Sequence, residues 1–80
     1  MMSSTDFEAT VERAIREDRR AGTIGVMARN FRRGDDWPSN PGTARMLIED
    51  LGFFCVNSPS GKILLDEARE LLRLHGLIDG

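Results

Sequence analysis

A chain of 80 residues with a single cysteine, Cys55, has no covalent staple, and with a single histidine, His75, it lacks the ligand set of a structural zinc site. Whatever it folds into must be held by packing alone. At this length only about 60% of the unfolded chain's surface is buried on folding, so the core is small and its margin thin. Regular helix packing, a partner or self-association has to supply what a larger core would. One domain over residues 1–80 is expected, with residues 1–4 a disordered lead-in and homo-oligomerisation left open.

The absence of a cysteine framework fits a reducing compartment. The stretch from Met1 to Asp6 is polar and has no apolar segment of the kind a signal peptide needs, and no apolar run approaches the ~20 residues that span a bilayer. A cytoplasmic protein with no membrane partner is therefore expected. The net charge of -2 and the isoelectric point near 5.3 give no global attraction to nucleic acid. Charge is nonetheless unevenly placed. Arg13, Arg16, Arg19, Arg20, Arg29, Arg32 and Arg33 face only Glu17 and Asp18 within their segment, and Lys62 is the sole lysine. That preference for arginine reads either as a compositional habit of a GC-rich genome or as use of the planar, bidentate pairing of guanidinium with carboxylate or phosphate.

Hydrophobic spacing then divides the chain. Thr5-Asp6-Phe7-Glu8 reads as a capping box opening a helix near 6–21, with Phe7, Val11, Ala14 and Ile15 on one face and Gly22 as its stop. Thr23 caps a second helix near 24–31 through Ile24, Met27, Ala28 and Phe31. Asn40-Pro41 opens a third, near 41–51, with Ala44, Leu47, Ile48 and Leu51 inward and Thr43, Arg45, Met46, Glu49 and Asp50 left for solvent or a partner. Phe53 to Asn57 and Lys62 to Leu65 are short β-prone runs separated by Ser58-Pro59-Ser60-Gly61, which reads as a β-hairpin turn. Asp66 caps a last helix near 66–75, ended by Gly76. The expected fold class is thus α+β: about four helices with one hairpin between the third and fourth. Phe7, Val11, Ile15, Ile24, Met27, Phe31, Leu47, Leu51, Phe54, Val56, Leu65, Leu71 and Leu72 are the expected core.

No motif in this chain carries chemistry. Gly61-Lys62 suggests a phosphate loop, but Val56 stands where its first glycine belongs and Ile63 where its hydroxyl belongs. His75 suits a helix C-terminus, and Cys55, within Phe-Phe-Cys-Val, suits a buried apolar position. Ser60 or Cys55 has no glycine-flanked turn to present it as a nucleophile. No enzyme, metal or cofactor is expected.

Two function classes remain. The order of helix, helix, helix, hairpin, helix resembles the winged helix-turn-helix class, which would place the third helix in the DNA major groove and make Ser58 to Gly61 the wing. Against it, the segment from Arg32 to Ser39 exceeds the 3- to 4-residue turn of the motif, and the third helix presents Glu49 and Asp50 with only Arg45 to meet phosphate. The favoured class is a protein-binding module. Phage-encoded inhibitors such as anti-CRISPR proteins are similar in size and in lack of motif, a likeness of class carried by no particular residue. It implies a host protein or complex as partner, itself nucleic-acid-binding, with Asp35, Asp36, Glu49 and Asp50 imitating phosphates. Arg29, Arg32, Arg33 and Arg45 are the alternative charged surface. Trp37, beside Asp35 and Asp36, either folds inward to close the core or stands out as an anchor ringed by charge.

Overall fold

The computed structural model describes residues 3–37, 46, 48–50, 52 and 58–78. It contains α1 (Ser4–Glu17), α2 (Arg19–Arg32) and α3 (Pro59–Leu74), each packed on the other two. Met46, Ile48, Glu49, Asp50 and Gly52 are helical as well, and there is no strand among the described residues.

The expected hairpin is thereby overturned, and the α+β class with it. Lys62 to Leu65, expected as its second strand, lies in the first half of α3. Ser58 is the N-cap, its Oγ accepting a hydrogen bond from the Gly61 N–H at 3.2 Å, and Pro59 takes the first helical position. Serine followed by proline serves a helix start as well as a turn. The inward stripe decides between them: Gly61, Leu64, Leu65, Ala68, Leu71 and Leu72 are all buried at a spacing of three and four. Asp66 is an exposed position within the helix and caps nothing. The winged-helix outline loses its wing at the same stroke. Phe53 to Asn57, the other expected strand, lies outside the described residues.

Boundaries at the N-terminal end also move. Ser3 caps α1 by accepting from the Asp6 N–H at 3.2 Å, and Ser4 is the first helical residue. The buried face is Phe7, Thr10, Val11 and Ala14. Thr10 is tolerated inside because its hydroxyl donates to the Asp6 carbonyl at 2.8 Å. With Thr10 inward the stripe turns away from Ile15, which is 45% exposed rather than core. α1 stops at Glu17 and α2 starts at Arg19, so Gly22 is an interior, buried residue of α2 and not a stop.

The core gathers Phe7, Val11, Ile24, Phe31, Leu64, Leu65, Leu71 and Leu72 with Trp37 and Ile48. Met27 is only half-buried. Leu47, Leu51, Phe54 and Val56 lie outside the described residues. Gly76, at φ 73°, ends α3 in the left-handed region that glycine tolerates, and Leu77 and Ile78 pack back on the core.

Candidate functional site

The connection between α1 and α2 is one residue, Asp18, in extended conformation (φ -155°, ψ 114°). Its carboxylate accepts from the Arg20 N–H at 2.9 Å and the Ala21 N–H at 3.4 Å, and its own N–H donates to the Ala14 carbonyl at 2.8 Å. One side chain thus closes one helix and opens the next. Below this corner the two backbones approach closely. A β-carbon at Gly22 would sit 3.0 Å from Cα of Ile15, and one at Gly25 would sit 2.9 Å from a methyl of Leu64 and 3.3 Å from a methyl of Val11.

With its backbone held against Gly22, Ile15 lies beside an open groove of about 390 Å³ lined by Ile15, Arg19, Gly22, Thr23, Val26 and Met27. The apolar lining is Ile15 with the half-buried Val26 and Met27, and Arg19 is its cation. Arg16 and Arg20, exposed on either side of the corner, extend the positive charge.

The expected arginine surface is arranged differently. Arg33 donates to a Glu8 carboxylate oxygen at 2.8 Å, and Arg29 lies 3.7 Å from carboxylate oxygens of both Glu8 and Glu12. Arg32 lies 4.0 Å from the buried Glu67 carboxylate, with its guanidinium 4.3 Å from the centre of the Phe7 ring. These three arginines clamp the end of α2 to α1 and α3. The cavity they line with Ser4, Phe7 and Glu8, about 370 Å³, already holds the Glu8 carboxylate as counter-ion to Arg29 and Arg33.

The remaining expected residues divide. Asp35, Asp36, Glu49 and Asp50 are exposed. Trp37 is not: it is 4% exposed and meets Phe31 edge-on at 5.7 Å between ring centres. Of its two expected placements, the inward one is observed. Phe31 also meets the His75 ring at 4.5 Å, and His75 is the C-cap of α3. Arg45 and Cys55 lie outside the described residues. Among the described residues no group of three or more His, Cys, Asp or Glu is placed to hold a metal ion, and no helix is long and apolar enough to cross a membrane.

Sequence spacing conceals the groove, because Ile15 falls within helical reach of the apolar stripe. The one signal that points to it is Gly22 and Gly25, three apart inside a helix, a pattern that lets another backbone approach. In comparison with known proteins, the chain matches no family, no curated protein and no solved structure.

Proposed function

We propose that the chain is a non-enzymatic protein-binding module that works by covering a partner's surface, with the groove over Ile15, Val26 and Met27 as its contact. The observation that carries this reading is the exposure of Ile15, a large apolar side chain at 45% beside an apolar hollow. Protein contacts combine an apolar centre with a polar rim in which arginine is enriched, and a helix laid in a groove is one of their recurring forms. Arg16 and Arg19 favour a partner segment that is acidic. Inhibition of a host protein by masking its surface is the role this contact would suit, and the exposed Asp35 and Asp36 offer a second charged surface for a basic partner.

Duplex DNA suits the surface less well. Arg29, Arg32 and Arg33 face glutamates of their own chain, and a net charge of -2 provides no general attraction to phosphate.

A photo-crosslinking residue placed at Thr23, in the groove, and separately at Lys62, exposed on α3, tests the reading in cells. Thr23 should form adducts with protein, these should vanish when Ile15→Asp is added, and Lys62 should form few. Adducts with nucleic acid, or equal adducts at both positions, would overturn it.

A further inference from the structure

The groove has a complementary surface on the same chain. Met46 is 54% exposed, and Glu49 and Asp50 are exposed with it. Positions 46, 49 and 50 stand at i, i+3 and i+4 of a helical segment and so share one face. That face carries a long, flexible apolar side chain flanked by two carboxylates. Methionine adapts to irregular apolar hollows, and the groove offers one, lined by Ile15, Val26 and Met27 with Arg19 at its rim.

We propose that the groove receives the Met46, Glu49 and Asp50 face of a second copy of this chain, reciprocally about a two-fold axis; this rests on the reading of the groove as the protein-binding surface. Met46 covers Ile15 and Met27, while Glu49 and Asp50 meet Arg19 and Arg16. Charge complementarity selects this occupant: the groove side is cationic, and the surface it meets is acidic and apolar. Two-fold pairing makes both contacts twice, since the surface each copy presents is the one its partner needs. It also buries Ile15 and Met46, two of the large apolar side chains that so small a domain leaves exposed.

Three variants of the purified full chain, compared with wild type by sedimentation equilibrium across a dilution series, test the pairing. Wild type should be a concentration-dependent dimer. Arg16→Glu with Arg19→Glu, and separately Glu49→Arg with Asp50→Arg, should each weaken self-association by at least about tenfold, because like charges then face each other at both contacts. Melting temperatures close to that of wild type would show that both still fold, all four positions being exposed. The two variants mixed in equal amounts should dimerise again, and so should the chain carrying all four reversals, since each restores opposite charges across the interface. A monomeric wild type, or a dimer indifferent to these reversals, overturns the pairing. Protein adducts at Thr23 to other chains alongside a monomeric wild type would remove the second copy as occupant and leave the groove as a binding surface. Loss of those adducts altogether would remove both.

Discussion

Gly22 rests against the backbone of Ile15: a β-carbon there would lie 3.0 Å from the Ile15 Cα and 3.2 Å from its Cγ1. In a helix interior alanine is ordinarily favoured over glycine by roughly 0.5–1 kcal/mol. At this position the gain is opposed by contact with backbone atoms, which cannot swing aside as a side-chain terminus can. Gly22→Val, which adds two further methyls, is expected to destabilise the protein by about 1–3 kcal/mol in urea or thermal unfolding. An unchanged midpoint would mean that the helices do not approach as closely as 3.0 Å here.

The C-terminal helix can be tested at its cap. Ser58 satisfies the Gly61 N–H at the start of α3, and its hydroxyl also donates to the Glu17 carboxylate at 3.4 Å. Ser58→Ala should cost about 1 kcal/mol. Asp66→Ala should be within about 0.5 kcal/mol of neutral, because Asp66 is an exposed residue within the helix. The reverse order, with Asp66 the costly position, would restore a helix beginning at residue 66. Denaturant unfolding of the two single variants distinguishes the cases.

Arg32 and Glu67 form a clamp whose halves are unequal in exposure, with side chains 18% and 7% exposed. Arg32→Ala removes the guanidinium that faces a buried carboxylate and the cation over the Phe7 ring, and is expected to cost about 3 kcal/mol. Replacing both residues with methionine should recover much of that loss, since no buried charge is then left without a partner. If the single and double replacements are equally unstable, the packing of the arginine stem rather than its charge holds this end of α2.

On the outer face of α3, Glu70 and Arg73 are hydrogen-bonded one turn apart. The Arg73 hydrogen bond is the main cause that holds the Glu70 carboxyl below the usual glutamate range; desolvation opposes it, and the arginine's charge aids it. A carboxyl whose folded value is depressed contributes stability above its unfolded value, and that contribution is lost as pH falls through the folded one. Carboxyl-detected NMR titration should show Glu70 ionising at lower pH than an ordinary glutamate, and Arg73→Gln should return it to the usual range. Both side chains reach solvent, so high salt should weaken the effect.

Periodicity makes the helical faces legible: the spacing of Phe7, Val11, Ile24, Phe31, Leu71 and Leu72 assigns them to the interior, and all six are buried there. Local signals that serve two structures are not legible in the same way. Ser58-Pro59-Ser60-Gly61 satisfies both a turn and a helix start, and only the burial of Leu64 and Leu65 on one face with Ala68 distinguishes them. Asp18 and Thr23 are both good caps, and the close approach at Gly22, a tertiary fact, selects Asp18. The arginine cluster is visible as a run, but the carboxylates it meets are remote in sequence, Glu8 being 25 positions from Arg33. The exposure of the acidic residues at 35, 36, 49 and 50 follows from their chemistry, while that of Ile15 follows from Thr10 turning inward, which composition disfavours.

Trp37 divides the two roles its sequence allows. It is buried, its indole edge-on to Phe31, and Phe31 in turn carries the His75 ring. This aromatic row joins the segment after α2 to the end of α3. Removing the ring leaves a cavity between these elements, and Trp37→Ala is expected to cost about 3–5 kcal/mol, enough to unfold much of so small a domain. Trp37→Phe should cost far less than Trp37→Ala. It keeps an aromatic edge against Phe31, and the indole Nε1 has no hydrogen-bond partner among the described residues to lose. The sole tryptophan also reports directly: its emission should be blue-shifted and shielded from iodide in the native state, moving to longer wavelength on unfolding. Native emission already at the long-wavelength limit, with Trp37→Ala melting near wild type, would place the indole outside the core and return it to the charged loop as an anchor for a partner.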